Sequence, residues 1–355
     1  MLIIGDDGNM GHAHLGAPGT DLQTLVGRGP VAQRAWCPQE RQLAPPVLHI
    51  GQAEVFLECV RCRRYESESI PGQEFDPKHD GNYLFVPDMN SHGEFGGKPT
   101  SHVRNVLSWY VVVQDYTGRS LFDTGDKLIA IAGLAKRVQP VVGGDYLAGI
   151  WRSNIHVGLT WMIEETASAM RAPVSPYRAP SWSWASMDGP VRWKDLDHDI
   201  VSKGESLKSA MDIMDTTVSL AGTDPFGAVV YAELVVSGQL RSTLSDMLLH
   251  NEVLDYSTWE RTGLYYPPSV GGWYMEDEKR PWQDEERICL KIMTRAVYGL
   301  SQELVHDILI LERVQSMNDD DEADGDGLET YRRIGYGEIM VADYFVDCPA
   351  RTVRG

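Results

Sequence analysis

The segment Tyr177–Pro190 separates two parts of the chain that differ in hydrophobic periodicity. Apolar residues before it recur mostly at helical spacing, and apolar residues after it recur mostly at every second position. Within the segment, Trp182 and Trp184 are two residues apart, so an extended backbone would place both indoles on one face. Pro180 favours an extended conformation at the residue before it, and Asp188-Gly-Pro190 is typical of a turn. The segment therefore predicts the first strand of a β-rich region.

Composition indicates a cytoplasmic globular protein. The chain has 355 residues, which is long enough for two or three domains, and five cysteines whose odd number and wide spacing are typical of reduced thiols. The net charge of −19 disfavours binding to nucleic acid or to an anionic membrane surface, because both require clustered Lys and Arg side chains. The longest apolar run is too short to span a bilayer, and the first residues do not have the pattern of a signal peptide.

The first 100 residues predict little regular structure. We expect one helix over residues 31–42, broken or kinked at Pro38, because proline removes a hydrogen bond from a helix interior. Residues 47–50 and 54–59 flank a short Gly-containing connection and therefore predict a β-hairpin. Residues 63–100 are rich in Gly, Pro and polar side chains, which indicates a long irregular connection.

Three helices are expected in a helical region over residues 101–176. Apolar residues repeat at intervals of three and four over residues 103–113, 127–138 and 145–163, which is the spacing of one helix face. The second of these helices should be capped by the segment Asp123-Thr-Gly-Asp126 and should end at Pro140.

The remaining region, residues 177–355, is expected to be rich in β-structure. Alternating apolar residues predict strands at residues 216–220, 227–240, 288–294 and 305–313, and at residues 337–343 with their flank. The acidic run over residues 317–327 predicts an exposed loop. The predicted fold class is therefore α+β, with a helical middle region and a β-rich C-terminal region.

Motifs of the common catalytic sites are missing from the sequence. It has no G-x-S-x-G nucleophile elbow, no H-E-x-x-H zinc motif and no G-x-G-x-x-G after a strand. Cys59 and Cys62 have half of the spacing of a zinc site without a second pair nearby, so we favour reduced thiols, with zinc as the alternative. We therefore predict no enzyme activity and assign no catalytic residue, cofactor or metal.

The pair Trp182 and Trp184 allows two interpretations. Two tryptophans on one strand face are typical of a buried core, which is the favoured interpretation. Alternatively, flat aromatic faces suit sugar rings, and Trp182, Trp184 and Trp193 would then form the platform of a carbohydrate- or small-ligand-binding β domain.

The segment Arg34-Ala-Trp-Cys-Pro-Gln-Glu40 mixes charged and aromatic side chains on one predicted helix. Arg34, Trp36 and Glu40 form an interaction surface, or else Arg34 pairs with a carboxylate while Trp36 packs inward. We favour the structural interpretation, because ion-pair networks in folded proteins resemble functional sites.

Two sets of motifs, read in order, resemble fungal heterokaryon-incompatibility proteins, which contain a HET domain. The first set, Arg34–Glu40 with the hairpin residues 47–59, is similar to the end of that domain. The second set is similar to the region that often follows the domain, and consists of Tyr116–Arg119, Asp126–Leu134, Tyr146–Trp151 and Ala179–Ser186. The family-motif residues, to which we assign no individual role, are Arg34, Trp36, Gln39, Glu40, Cys59, Arg119, Asp126, Trp151, Trp182 and Trp184.

The resemblance implies that residues 1–62 are the C-terminal remnant of an α/β HET domain related to TIR domains. The S-Y-x-W-G and W-I-D…C-I-x-Q segments with which the family's domain begins do not occur in this sequence. By resemblance, the protein would act in non-self recognition and programmed cell death in a filamentous fungus, through protein partners. Roles that require the whole HET domain are expected to be lost.

Overall fold

The structure is a computed structural model of the 355-residue chain. It describes residues 2–4, 10–12, 27, 29–51, 55–59, 63–66, 100–163, 176–193, 208–242, 264–265, 287–296, 304–314, 327–339 and 344–355. Helices and antiparallel sheets are both present among these residues, so the α+β fold class is confirmed. The chain divides into two compact units, the N-terminal unit (Met1–Leu84) and the C-terminal unit (Phe85–Gly355).

The described part of the N-terminal unit contains one α-helix, α1 (Cys37–Leu43), and two small antiparallel sheets. Its strands are β1 (Leu2–Ile4), β2 (Met10–His12), β3 (Pro46–Ile50), β4 (Val55–Cys59) and β5 (Arg63–Tyr65). Strands β1 and β2 form a ribbon, and β3, β4 and β5 form a three-stranded sheet in that order. The hairpin predicted at β3 and β4 is confirmed, whereas β5 forms where we expected no regular structure.

Helix α1 begins later than the sequence predicted. Residues 29–36 form turns, and the helix starts at Cys37. Pro38 consequently lies in the first turn of α1, where backbone N–H groups have no partner within the helix. Proline costs little at such a position, and the expected helix is broken just before Pro38, with turns ahead of the break and α1 after it.

The C-terminal unit opens with two helices, α2 (Thr100–Thr117) and α3 (Ile129–Val142). A 3-10 turn at Thr124–Lys127 leads into α3. The Asp123 carboxylate accepts a hydrogen bond of 2.8 Å from the Gly125 N–H, so Asp123 is a cap, as predicted, although it caps this 3-10 turn.

Helix α3 continues past Pro140, where its end was predicted, and reaches Val142. The missing proline N–H removes one hydrogen bond close to the end of a helix whose apolar face is buried. The helix ends instead at Gly143, which adopts a φ of 70° that glycine tolerates without steric cost.

The long helix predicted over residues 145–163 does not form. This range contains the strands β6 (Tyr146–Leu147) and β7 (Ile150–Trp151), a 3-10 turn (Arg152–Asn154), the single helical turn α4 (Ile155–Gly158) and strand β8 (Trp161–Ile163). Positive φ angles of 45° at Ala148 and 102° at Gly149 reverse the chain between β6 and β7. The apolar side chains that suggested a helix are nevertheless buried, because they face the core from several short elements.

The segment of Trp182 and Trp184 is not a strand, contrary to the prediction. Ser183 caps a 3-10 turn at Trp184–Ser186, and its hydroxyl accepts a hydrogen bond of 3.0 Å from the Ala185 N–H. The first strand after this turn is β9 (Val191–Trp193), which pairs with β8.

The described residues after β9 form an eight-stranded antiparallel sheet. Its strands are β10 (Lys208–Ser209), β11 (Met211–Leu220), β12 (Val229–Ser242), β13 (Leu264–Tyr265), β14 (Arg287–Ala296), β15 (Leu304–Arg313), β16 (Tyr331–Ile339) and β17 (Ala350–Arg354). Strands β11, β12, β14 and β15 confirm predicted strands, but β16 lies mostly ahead of the range 337–343 predicted for it. The predicted acidic loop lies outside the described residues except for Gly327.

The pairing of strands in this sheet follows a closed circuit. It runs from β12 through β14, β15 and β16, and β17 pairs with β12. An isolated bridge between Thr330 and Arg354 joins the residue before β16 to β17. Strand β15 is buried on both faces, and on one of them Ile308 and Ile310 pack in a cluster with Tyr344 and Phe345.

Candidate functional site

The predicted site residues of the N-terminal unit lie around α1 and on β4. Arg34 and Glu40 are exposed, and the residues of this segment that are buried are Ala35 and Pro38. The other predicted residues, all half-buried, are Trp36, Gln39 and Cys59. The proposed partner of Cys59 in a zinc site, Cys62, lies outside the described residues.

A buried carboxylate that was not singled out from the sequence connects α1 to this unit's sheet. Glu58 on β4 is 3% exposed and accepts two hydrogen bonds from Arg41, of 2.6 Å from Nε and 2.7 Å from Nη2. His49 Nε2 on β3 lies 2.9 Å from the same carboxylate, and its ring stacks on Phe56. The bidentate arginine geometry is that of a strong structural pair.

In the C-terminal unit, the predicted residues Trp151, Trp182 and Trp184 are buried. The core interpretation of the tryptophan pair is therefore confirmed. A platform for sugar rings needs an exposed ring face, and Trp193, the third residue of that alternative, is also buried. These three tryptophans do not offer such a face.

The two remaining predicted residues, Arg119 and Asp126, are half-buried near the two ends of the loop between α2 and α3. Arg119 Nη2 lies 2.6 Å from Asp115 Oδ2, one helical turn earlier. Asp126 belongs to the 3-10 turn, where its N–H donates to the Asp123 carbonyl at 3.1 Å. Both residues contribute to the surface of this loop.

The turn between β6 and β7 is held by side chains from two distant segments. Trp109 Nε1 on α2 and Trp184 Nε1 both donate to the Gly149 carbonyl, at 3.2 and 3.0 Å. Ser183 Oγ donates to the Ala148 carbonyl at 2.5 Å. A Cβ atom at Gly149 would lie 2.5 Å from Trp184 Nε1, closer than any real contact of this kind, so only glycine fits.

Arg178, which is buried, fixes the segment that carries Trp184. Its guanidinium donates four hydrogen bonds, to the carbonyls of Thr124 (2.8 Å), Ala185 (2.7 Å) and Met187 (3.1 Å) and to the carboxylate of Asp188 (3.0 Å). Three of these acceptors are backbone carbonyls that would otherwise need other donors, so the arginine has a structural role.

Lys127 is a second buried cation in this region. Its Nζ donates to the Met187 carbonyl and lies 5.6 Å from the centroid of the Trp184 ring, and its own carbonyl accepts a hydrogen bond of 2.7 Å from the Tyr116 hydroxyl. We call the residues Trp109, Tyr116, Lys127, Gly149, Arg178 and Trp184 the tryptophan network. The sequence identified Trp184 as a core residue, but it gave no signal for Lys127.

A further buried polar group, the acid cluster, lies on β14, β15 and β16 and consists of Arg295, Asp307, Tyr336 and Glu338. Arg295 Nε lies 3.1 Å from Asp307 Oδ2, and Arg295 Nη2 donates to Glu338 Oε1. The Tyr336 hydroxyl lies 2.5 Å from Asp307 Oδ1 and 3.3 Å from Glu338 Oε1. The sequence signal for this cluster, an aspartate within the apolar run 304–311, was not used.

The environment of the acid cluster changes its protonation. Burial raises the pKa of Asp307 to about 6, although Arg295 opposes the shift, while the Glu338 carboxylate adds to it. Burial and the nearby Asp307 raise the pKa of the Tyr336 hydroxyl well above its ordinary value. This phenol therefore keeps its proton and donates a hydrogen bond to the Asp307 carboxylate. Asp307 is 1% exposed, so the cluster can take up a proton but offers no face to a substrate.

The stability of the protein is expected to depend on pH through Asp307. Because its pKa in the folded state, about 6, exceeds the ordinary value of 3.8, the stabilisation from the bound proton is complete below 3.8 and is lost as pH rises through 6. When the pH is raised from about 5 to about 7.5, the free energy of unfolding of the native protein should fall by about 1 kcal/mol more than that of Asp307→Asn. Urea unfolding at both pH values measures this difference. The control is Asp212→Asn at an exposed position of β11; an equal pH dependence of the native protein and Asp307→Asn would contradict the assignment.

The described residues include no group of three or more His, Cys, Asp or Glu side chains arranged to hold a metal ion. Within the same ranges, no helix is both long enough and apolar enough to cross a membrane. Comparisons of the chain with models of protein families, with curated proteins and with solved structures gave no match.

Proposed function

We propose that this protein is of the HET type and acts in non-self recognition and programmed cell death in a filamentous fungus. It acts in the cytoplasm by contact with other proteins and not by a chemical step. On this proposal, residues 1–62 correspond to the C-terminal part of a TIR-related HET domain.

The observation that carries the proposal is the contact among the segments that resemble family motifs. Each of the four segments in the second set of family motifs contributes one residue to the tryptophan network. Hydrogen bonds and a cation–ring contact connect these residues, which are Tyr116, Lys127, Gly149 and Trp184. Motifs that lie far apart in sequence but share one core are expected to specify a common fold. The contact among the motifs therefore supports the resemblance to HET-domain proteins, which rests on the order of the motifs along the chain.

The burial of the network argues against a catalytic role for its residues. A catalytic group must reach its substrate, usually in a concave pocket. Arg178 and Lys127 are instead buried and donate to backbone carbonyls, and Trp184 is fully buried. Cys289 is not a suitable nucleophile either, because burial raises the pKa of its thiol to about 12 and keeps it protonated.

Expression in a filamentous fungus tests the proposal. One strain would express the present chain and a second a version extended with the S-Y-x-W-G and W-I-D…C-I-x-Q segments of a HET domain, and uptake of a vital dye would report hyphal death. We expect death with the extended version and survival with the present chain. Survival of both strains, with both proteins present at equal levels, would contradict the proposal.

A variant of the extended version separates specific death from the toxicity of overexpression. Gly149→Ala disrupts the tryptophan network through the clash with Trp184, so it should abolish death. Gly143→Ala introduces an alanine at another glycine with positive φ, where no atom lies within 4 Å, and should retain it. Death with both variants would indicate general toxicity and would count against the proposal.

A further inference from the structure

Phe122 is the most exposed of the large apolar side chains that the structure describes, with a relative exposure of 107%. It lies in the loop between α2 and α3. Single apolar residues at a protein surface are common and need no explanation by themselves.

The backbone on both sides of Phe122 is fixed by hydrogen bonds. Before it, the Arg119 N–H donates to the Tyr116 carbonyl at 3.1 Å, which continues the end of α2. After it, the Asp123 carboxylate caps the 3-10 turn at 2.8 Å, and the Thr124 carbonyl accepts a hydrogen bond of 2.8 Å from the buried Arg178. The loop is thus ordered before any contact is made, which lowers the entropy lost when an aromatic residue binds.

The charged residues around Phe122 are mostly acidic. Asp123 follows it directly, Asp126 lies in the adjoining 3-10 turn, and Asp115 is exposed on the last turns of α2. The basic residues of this loop are Arg119, which pairs with Asp115 at 2.6 Å, and Lys127, which is buried. The exposed Phe122 is therefore flanked along the chain by Asp115, Asp123 and Asp126, which we call its acidic border.

We propose that Phe122 anchors a docking surface for another protein, whose complementary site is an apolar pocket bordered by Lys or Arg side chains. This inference rests on the proposed function, because both require a protein partner. An aromatic anchor that fills a pocket, with charges of opposite sign at the rim, is the usual arrangement of a binding hot spot. The same acidic border disfavours an anionic membrane, and a second copy of a chain with a net charge of −19 would present like charges.

Photo-cross-linking of the full chain tests this surface. The photoreactive residue p-benzoylphenylalanine would replace Phe122, or Val346 as the control, because Val346 is an exposed apolar residue in another turn. We expect an adduct from position 122 and none from 346, attached to a protein segment in which apolar residues adjoin Lys or Arg. Equal yields, adducts with a second copy of the chain, or adducts with lipid alone would overturn the proposal.

Two variants then separate the anchor from its charged border, with the cross-linked partner purified as the binding probe. Phe122→Ser should weaken binding at least tenfold, and Val346→Ser should leave it unchanged. Asp123→Asn with Asp126→Asn should slow association and reduce its salt dependence, because asparagine keeps the capping hydrogen bond but removes the charge. Unchanged affinity of Phe122→Ser would overturn the proposal.

The outcomes also separate this inference from the proposed function. A partner that binds through Phe122 in a strain whose extended protein causes no death would support the docking surface and count against the function. Death that is undiminished by Phe122→Ser would count against the docking surface and leave the function standing.

Discussion

Replacing Gly149 with alanine is expected to reduce the free energy of unfolding by about 2–6 kcal/mol. The backbone strain of a non-glycine residue at this positive φ contributes about 1–3 kcal/mol, and overpacking against the Trp184 indole contributes about 1–3 kcal/mol more. The shift needed to relieve the clash would also disturb the carbonyl that Trp109 and Trp184 share. Urea unfolding followed by tryptophan fluorescence and circular dichroism measures the loss.

Gly143→Ala is the matched control, because Gly143 also has a positive φ but no atom lies within 4 Å of an added Cβ. Gly143→Ala should reduce the free energy of unfolding by the backbone strain alone, which is about 1–3 kcal/mol. Trp184→Ala should cost about 3–5 kcal/mol, and combining it with Gly149→Ala should cost less than the sum, because the clash then has no partner. Equal losses for the two glycine variants would contradict the close contact.

The second large effect is expected for Arg178→Met, which should reduce the free energy of unfolding by about 3–5 kcal/mol. Methionine roughly replaces the aliphatic part of the side chain but leaves the Thr124 and Ala185 carbonyls without the donor that reaches them now. Arg178→Lys should restore only part of the loss, because a single ammonium group does not reproduce the planar fork of donors.

Arg313→Met provides the control for removing an arginine charge. The Arg313 side chain is 53% exposed and pairs with Glu329 at 3.1 Å on the surface. Its loss should cost about 0–1 kcal/mol, as is usual for exposed ion pairs. Comparable losses for Arg178→Met and Arg313→Met would show that the buried guanidinium does not hold the turn around Trp184.

Much of the β-rich region could be predicted because its strands are specified locally. Strands β14 and β15 are ten-residue segments rich in apolar side chains, and β14 pairs with the strand that follows it in the chain. The range 145–163 could not be predicted in this way, since its apolar residues match a helix. What decides its structure is the turn at Ala148 and Gly149, which residues far away in sequence stabilise.

The candidate sites were predicted less well than the fold. Aromatic residue type was sufficient to place Trp182 and Trp184 in the core. The buried charges Lys127, Arg178 and Asp307 were not identified, because a sequence does not show which charged side chains will find partners inside the protein.

The closed circuit of strands has a consequence for how the chain is synthesised and folds. Strand β12 pairs with β17, and Gln239 Nε2 donates a hydrogen bond of 2.8 Å to the Phe345 carbonyl, 106 residues later in the chain. After β12 has left the ribosome, the edge that pairs with β17 therefore stays uncovered until the residues of β17 have been synthesised. Non-local closure of this kind slows folding and leaves an unpaired strand edge exposed in the meantime. During synthesis, this edge of β12 is thus open to wrong pairing until β17 has formed.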